Sequence, residues 1–248
     1  SRLEPVDMKS PFQQDIHQKL GWRYQHEEAV NTRSKQTVSE YKRTFMDAYS
    51  EPLYKPSFRA DDYEQPTFLE QTKKPSSAAR GTVVHTVLEH LPLQREMSAE
   101  DIHRFVHALV EREILTEEEG KLVDSNEIYT FLQSKLGMQL RTSNEVYREI
   151  PFSYAKKEEG LADFILLQGT VDCLFKDEKN QLVLVDYKTD AFMRRYPTNP
   201  EKATEVMKNR YQTQIDLYRE AISHIWKEEI KQAYLYMFDG HVMINMME

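Results

Sequence analysis

The sequence has one cysteine, few glycines and no long apolar run. Its 248 residues include a single cysteine, Cys173, and seven glycines. One cysteine excludes an internal disulfide, a four-cysteine zinc site and an iron–sulfur cluster held by this chain's own thiolates. Apolar runs such as 182–185 are far shorter than the ~20 residues that span a bilayer, so no membrane partner is expected.

The N-terminus also lacks a targeting signal. Residues 1–20 have no basic start followed by an apolar block, so they do not resemble a secretory signal. The first residue is Ser1 rather than Met, which indicates a cleaved or excised piece. Together with the single cysteine, these features lead us to expect a protein of the reducing cytoplasm.

Basic residues are outnumbered by acidic ones. The chain has 33 Lys and Arg against 41 Asp and Glu, a formal net charge of −8 and a pI near 5.6. Domains that bind nucleic acid by bulk charge usually have a pI above ~9, so binding of that kind is not expected. An enzyme whose carboxylates hold a metal ion against a polyanion is compatible with this balance.

The chain divides into an arm and a folded domain. Residues 1–75 are polar and carry only a thin core, with a helix predicted over 38–48 and a proline-rich extended linker over 51–75. We interpret 1–75 as an N-terminal extended and helical arm. From residue 76 onward, apolar residues recur first at helical and then at strand spacing, which predicts an α/β domain over 76–248.

The elements of that domain follow from periodicity and capping signals. Ser98 with Asp101 and Thr116 with Glu119 resemble capping boxes, and Asp239-Gly240 is a favoured hairpin turn. The predicted helices are 76–91, 98–110 and 128–136, followed by strands 145–154, 164–175 and 182–188, a helix over 199–227 and strands 232–238 and 241–246.

Two aspartates are predicted to meet across one hairpin. If the hairpin is symmetric about Lys179, Asp172 lies directly opposite Asp186, with Cβ atoms ~4.5–5.5 Å apart. Two such carboxylates repel each other unless a divalent cation lies between them. Lys188 projects from the same face of the strand as Asp186. The alternative is an ordinary Asp–Lys surface pair at a strand end.

Four motifs in fixed order resemble a known family. They are Gly81-Thr82-x-x-His85, Gly169-x-x-Asp172, Asp186-Tyr187-Lys188-Thr189-Asp190 and Tyr211-x-x-Gln214-x-x-x-Tyr218. This order resembles the RecB-type nucleases of the PD-(D/E)XK superfamily, and among them the C-terminal nuclease domain of the AddA subunits of bacterial AddAB helicase-nucleases. The resemblance covers 76–248 and, more faintly, 20–45. It implies a restriction-endonuclease-like core, in which a mixed central β-sheet is flanked by helices.

The chain departs from the family's patterns at two points. Val171 stands where the superfamily's nominal signature has a proline, as is common in the RecB branch. No Gly-x-x-x-x-Gly-Lys-Ser/Thr loop is present, so this chain is expected to carry no ATP site, and a motor would lie on residues outside it. The single cysteine agrees with a domain that has no iron–sulfur cluster.

The resemblance implies a metal site. Its ligands would be His85, Asp172, Asp186 and the backbone carbonyl of Tyr187, holding Mg²⁺, for which Mn²⁺ can substitute. Asp172, Asp186 and Lys188 would be the catalytic residues, with Lys188 orienting the attacking water or stabilising charge on the phosphate oxygens.

Two histidines and two glutamates near these motifs have alternative roles. His85 lies among valines and could be a structural residue, or it could pair with Glu89 one helical turn away. His90 is expected at the surface. Glu149 could tune the metal site, or it could be a solvated strand residue.

The resemblance also implies contacts with DNA. Gln214 and Tyr218 are four residues apart on one helix face, which Tyr211 joins, and core packing is the alternative. Arg194 and Arg195 would bind phosphate, with an exposed charged loop as the alternative. The substrate would be single-stranded DNA with a 3′ end, and the partners would be the helicase part of the same polypeptide and an AddB-like subunit.

The function expected from these features is a metal-dependent deoxyribonuclease in double-strand-break repair by recombination. It would hydrolyse phosphodiester bonds by attack of water and leave 5′-phosphate ends. Two other classes are compatible with the sequence. One is a catalytically inactive DNA-binding or partner-docking module with the same fold, and the other is a carboxylate-based hydrolase of small substrates.

Overall fold

A computed structural model describes residues 19–21, 35–42, 77–157, 164–191 and 199–247. Strand β1 is followed directly by a helical segment over 38–42. The elements in chain order are β1 Lys35–Thr37, α1 Ser77–His90, α2 Ala99–Glu111, α3 Glu117–Gly120, α4 Ser125–Gln133, α5 Lys135–Thr142, β2 Val146–Lys157, β3 Phe164–Lys176, β4 Leu182–Lys188, α6 Pro200–Trp226, β5 Ile230–Met237 and β6 Val242–Asn245.

The strands form one mixed sheet around β3. Strand β2 pairs antiparallel with β3 along nearly its whole length. On the other edge of β3, β1 pairs in parallel with Leu166–Gln168, and β4 pairs antiparallel with Cys173–Lys176. Strand β5 is parallel to β4 and antiparallel to β6. Residues 169–172 of β3 therefore lie in a gap between β1 and β4, which we call the β3 notch.

Each face of the sheet is covered by a different layer. Strand β4 is buried from Leu182 to Tyr187, and its side chains alternate between two hydrophobic clusters. Leu182 and Leu184 pack with α6, whereas Val183 and Val185 pack with helices α1, α2, α4 and α5. The predicted α/β architecture, a mixed sheet flanked by helices, is confirmed. Among the helices that the structure describes, none has both the length and the apolar character needed to cross a membrane.

The capping signals in the sequence determine helix ends. Both predicted capping boxes form: Ser98 and Asp101 begin α2, and Thr116 and Glu119 begin α3. The helix predicted over 128–136 was wrong in one respect, because it is two helices that meet at Ser134. The Ser134 backbone is extended and its Oγ accepts a hydrogen bond from the Gly137 N–H, so one residue ends α4 and begins α5.

Part of the predicted arm belongs to the sheet. The segment 35–42 contributes β1, and its Val38 and Tyr41 side chains are buried in the same cluster as α6. Gly169 makes this packing possible, since a Cβ there would lie 3.0 Å from the Phe152 ring and 3.2 Å from Val38 Cγ2. The helix predicted over 38–48 is described only to residue 42, and the predicted linker 51–75 lies outside the described residues. The division at residue 75 stays a prediction.

Arg148 fixes the end of α1 against β2. Its Nη1 donates hydrogen bonds to the carbonyl oxygens of Leu88, at 3.0 Å, and Leu91, at 2.7 Å. Leu88 lies in the last turn of α1 and Leu91 follows its last residue, so neither carbonyl has a partner within the helix. Helix α1 carries His85, so this contact also sets the position of the histidine relative to the sheet.

We expect Arg148→Met to lower the free energy of unfolding by about 2–3 kcal/mol, because the variant loses two hydrogen bonds from a charged donor to partly buried carbonyls. Urea denaturation followed by circular dichroism measures the change. Arg104→Met is the matched control, since Arg104 is an exposed arginine that pairs with Asp101 at the surface, and it should cost less than about 0.5 kcal/mol. Equal losses of unfolding free energy in the two variants would show that Arg148 does not stabilise the contact between α1 and β2.

Candidate functional site

Asp172 lies between two other acidic residues on neighbouring strands. The pairs Cys173 with Val185 and Leu174 with Leu184 have the register that symmetry about Lys179 predicted, so that register is confirmed. Continued by one residue, it sets Asp172 against Asp186. The pairs of Cys173 and Val171 with β2 set it against Glu149 on the other side. The register thus places three acidic residues at neighbouring positions on three adjacent strands.

The strand ladder is irregular at this point. The backbone pairing of β3 with β4 ends at Cys173, and the Tyr187 N–H instead donates a 2.7 Å hydrogen bond to Asp172 Oδ2. In a regular strand, Val171 and Cys173 would point to the same face of the sheet. Here Val171 packs on the α6 side and Cys173 on the opposite side, so the alternation of β3 is interrupted at Asp172. Glu149 has a φ of 48°, which is unusual for a residue other than glycine and costs about 1–3 kcal/mol. This irregularity is centred on the acidic residues.

His85 joins this acidic group from helix α1. Its Nδ1 lies 3.4 Å from Glu149 Oε1 and 3.6 Å from Asp172 Oδ1, and its Nε2 lies 3.2 Å from the carbonyl oxygen of Tyr187. One donor atom from each of His85, Glu149 and Asp172 lies within 4.8 Å of the others. Two carboxylates, one imidazole and an adjacent carbonyl form a donor set suited to a divalent cation.

Asp186 is held by residues on the α6 side. It is fully buried; its Oδ2 is paired with Lys188 Nζ, and its Oδ1 accepts a 3.0 Å hydrogen bond from Gln214 Nε2. The Gln214 amide also donates to the Tyr218 hydroxyl, at 3.2 Å. Asp186 is thus held by an ammonium at one carboxylate oxygen and by an amide at the other.

The charges of the site are not balanced around Asp172. Burial and the neighbouring Asp186 charge raise the pKa of Asp172 to about 7, although His85, Lys188 and the Tyr187 N–H oppose the shift. Burial alone would lower the pKa of Lys188, but the Asp186 and Asp172 carboxylates outweigh it and the net shift is upward. Asp186 therefore has a permanent cationic partner, whereas Asp172 lacks a cation of comparable strength. A divalent ion beside Asp172 would supply it.

The histidine on α1 does not fully compensate Asp172. Burial lowers the pKa of His85, but the hydrogen bond to Glu149 and the Asp172 charge outweigh burial, so the net shift is upward. The predicted alternative of a His85–Glu89 pair was wrong. Glu89 is exposed and lies 3.8 Å from His90, which accordingly sits at the surface beside it.

The other predicted residues are distributed unevenly. Tyr211 lies on the same side of α6 as Gln214, and its hydroxyl donates a 2.8 Å hydrogen bond to Asp190 Oδ2. Arg194 and Arg195 lie outside the described residues. Glu149 belongs to the group around Asp172, although only the pairing of β3 with β4 was predicted from the sequence. Pairing strands 145–154 and 164–175 about residues 160 and 161 would have set Glu149 opposite Asp172.

An open groove lies along part of the β3 notch, at Gly169 and Thr170. Its volume is about 600 Å³. Polar side chains line much of it: Thr37, Ser39, Ser153, Gln168, Thr170 and Tyr218. Among the lining residues, Tyr218 is linked to Asp186 by two hydrogen bonds through Gln214. The hydroxyls and the amide can bond a polar polymer without requiring one sequence.

Comparison with known proteins agrees with this geometry. Residues 57–246 match the family model described as the PD-(D/E)XK nuclease superfamily. The chain is 37% identical over 245 residues to a protein of Anoxybacillus flavithermus, covering 99% of this chain and 19% of that protein. It is 39% identical over 244 residues to one of Listeria innocua, covering 95% and 20% of the two chains.

A third relative, from Bacillus licheniformis, is 36% identical over 244 residues, covering 94% of this chain and 20% of its own. All three relatives are named as subunits of an ATP-dependent helicase/nuclease. This chain thus spans about a fifth of the length of the curated relatives it matches. The resemblance inferred from the four motifs is confirmed.

Proposed function

Because the chain belongs to the PD-(D/E)XK nuclease superfamily, we propose that it is a metal-dependent deoxyribonuclease. The observation that carries the proposal is the group formed by His85, Glu149 and Asp172, near the buried Asp186 and its partner Lys188. A carboxylate with a raised pKa, two further carboxylates and an ammonium suit a site where a cation and a phosphate bind together.

The residues that would hold the cation are His85, Asp172, Asp186 and the Tyr187 carbonyl, and Glu149 joins this set. Mg²⁺ is the cation we propose, with Mn²⁺ as a substitute, because most of these donors are oxygen atoms and a single imidazole is compatible with either ion. When bound, such an ion polarises the scissile phosphate and makes water acidic enough to attack it at neutral pH.

Lys188 would bind the phosphate oxygens or orient the attacking water. Its pKa is raised by the Asp186 and Asp172 carboxylates against the effect of burial, so it stays protonated and is not a general base. Gln214 would keep Asp186 oriented through its amide hydrogen bond, 3.0 Å long. Tyr218, Tyr211, Arg194 and Arg195 would contact the DNA strand.

The longer protein is part of the proposal. Relatives about five times as long as this chain are named helicase/nuclease subunits. Their names support the proposal that this chain is the nuclease part of an AddA-like helicase-nuclease. Its substrate would be the 3′-terminated single strand that the motor delivers during double-strand-break repair, and its second subunit would be AddB-like. A cytoplasmic location fits a DNA substrate and a buried, unpaired cysteine.

The experiment is a cleavage assay on the purified chain. End-labelled single-stranded DNA is incubated with protein in Mg²⁺, in Mn²⁺ and in excess EDTA, and the products are tested for 5′-phosphate ends. We expect cleavage with either ion, none in EDTA, and recovery when Mg²⁺ is added back. Isothermal titration of Mn²⁺ into the same protein reports ion binding separately.

A catalytically inactive DNA-binding or docking module with the same fold is the rival proposal. It predicts DNA binding and Mn²⁺ binding without cleavage in any of the three conditions. The acidic group and Lys188 favour the enzyme, because a docking module gains nothing from a buried, unbalanced carboxylate.

A further inference from the structure

Three cationic groups surround the ring of Tyr211. The distances to its centroid are 3.9 Å for Lys42 Nζ, 4.9 Å for Lys188 Nζ and 5.5 Å for Arg210 Cζ. The two ammonium groups are therefore at most about 9 Å apart, since both are measured from one point. An aromatic face stabilises a nearby cation by about 1–2 kcal/mol, but it does not neutralise three of them.

Among the described residues, two of these cations have acidic partners and Lys42 has none. Lys188 is paired with Asp186, and Arg210 Nη1 lies 3.8 Å from Asp190 Oδ1. In the described part of the chain, no carboxylate lies within ion-pair distance of Lys42 Nζ, although Lys42 is only 9% exposed. Burial, followed by the charges of Lys188 and Arg210, lowers the pKa of Lys42 to about 8. The more distant Asp186 and Asp190 carboxylates oppose this shift but do not outweigh it, so positive charge predominates around Lys42.

The chain holds Lys42 in place through several independent contacts. Its segment is anchored by the parallel pairing of β1 with β3 and by the burial of Val38 and Tyr41. A reciprocal capping pair begins the helical turn: the Thr37 N–H donates to Glu40 Oε2 at 2.9 Å, and the Glu40 N–H donates to Thr37 Oγ1 at 3.2 Å. A lysine on such a support loses little entropy when it binds an anion.

We propose that Lys42 binds a backbone phosphate of the DNA strand, next to the phosphate that Lys188 contacts. The inference rests on the proposed function, since it needs a polyanionic substrate at this site. The separation of the two ammonium groups can be bridged by neighbouring phosphates of one strand. The groove along the β3 notch is lined by Thr37 and Ser39 of the same segment, so it would offer the strand a path beyond Lys42. Residues that precede the predicted domain would thereby complete its active site.

The test compares Lys42→Met, Lys42→Arg and Lys35→Met. Methionine keeps the apolar stem and its packing on Tyr211, arginine keeps the charge, and Lys35 is an exposed lysine on the same segment. For cleavage of single-stranded DNA in Mg²⁺, we expect Lys42→Met to raise KM about tenfold with kcat nearly unchanged, and to lower the slope of log affinity against log salt by about 0.7. Lys42→Arg and Lys35→Met should both have the KM and the salt slope of wild type.

A substrate with one phosphate replaced by a neutral methylphosphonate identifies the contact. Scanning that replacement along the strand should reveal one position where wild type loses affinity and Lys42→Met loses none further. The inference is wrong if Lys42→Met has the wild-type KM and salt slope. It is also wrong if the affinity lost in Lys42→Met adds to the affinity lost at every methylphosphonate position. In both cases the nuclease proposal stands. If wild type neither cleaves nor binds any of these strands, the proposed function itself fails.

Discussion

We expect Asp186→Asn to lower kcat for DNA cleavage by about 1000-fold or more and to destabilise the protein by about 3 kcal/mol. Asparagine has the same size as aspartate and can still accept the hydrogen bond from Gln214. It carries no charge, however, so the largely buried Lys188 would lose its ionic partner. A candidate cation ligand and the partner of this ammonium are removed together.

Single-turnover cleavage and urea denaturation measure the two effects of Asp186→Asn. Asp216→Asn is the matched control, because Asp216 is a half-exposed aspartate on α6 that pairs with Arg219. This control should retain wild-type cleavage and lose less than about 0.5 kcal/mol of stability. Wild-type cleavage by Asp186→Asn would remove Asp186 from the proposed site.

Asp172→Asn is expected to cause the same loss of cleavage but the opposite change in stability. In EDTA at pH 8, the variant should be about 1–3 kcal/mol more stable than wild type. Asp172 is buried and its pKa is raised to about 7 by burial and by the Asp186 charge. Asparagine removes that buried charge, and its Oδ1 can still accept the hydrogen bond from the Tyr187 N–H.

The stability gain of Asp172→Asn should depend on pH. A carboxyl group whose pKa is higher in the folded than in the unfolded chain binds its proton more tightly when folded. Its ionisation therefore destabilises the fold increasingly from about pH 4 to pH 7. The difference between variant and wild type should be largest at pH 8 and smaller at pH 5.

Added Mg²⁺ provides the control for Asp172→Asn. It should raise the Tm of wild type, because the ion binds next to the Asp172 carboxylate and offsets its charge. The variant has no charge at this position, so its Tm should be nearly unchanged. A variant less stable than wild type at pH 8 in EDTA would show that Asp172 is compensated by other groups.

The sequence predicted those parts of the site that depend on local pairing. A hairpin joined by five residues, 177–181, has little freedom in register, so symmetry about Lys179 predicted the relation of Asp172 to Asp186. The capping boxes were predicted for the same reason, because residues such as Ser98 and Asp101 interact within one helical turn. In both cases the residues that decide the structure are neighbours in the chain.

The sequence did not predict features that arise from distant pairing or from a local backbone irregularity. Strand β1 is three residues long and joins β3 in parallel across more than a hundred residues of chain, so no periodicity reveals it. Lys42 reaches Tyr211 only as a consequence of that pairing. Likewise, the positive φ of Glu149 is set by the sheet around it, and a glutamate in an alternating strand carries no local signal of such a conformation.

The pairing of β1 with β3 has a practical consequence for expressing this protein in parts. A fragment cut at residue 76 would lose the strand that covers the backbone of Leu166–Gln168, together with the side chains of Val38 and Tyr41 that shield Phe152. An uncovered strand edge beside an apolar surface favours self-association and insolubility. Soluble production of the catalytic part therefore requires that residues 35–42 stay with it, either in the same chain or as a peptide added in trans.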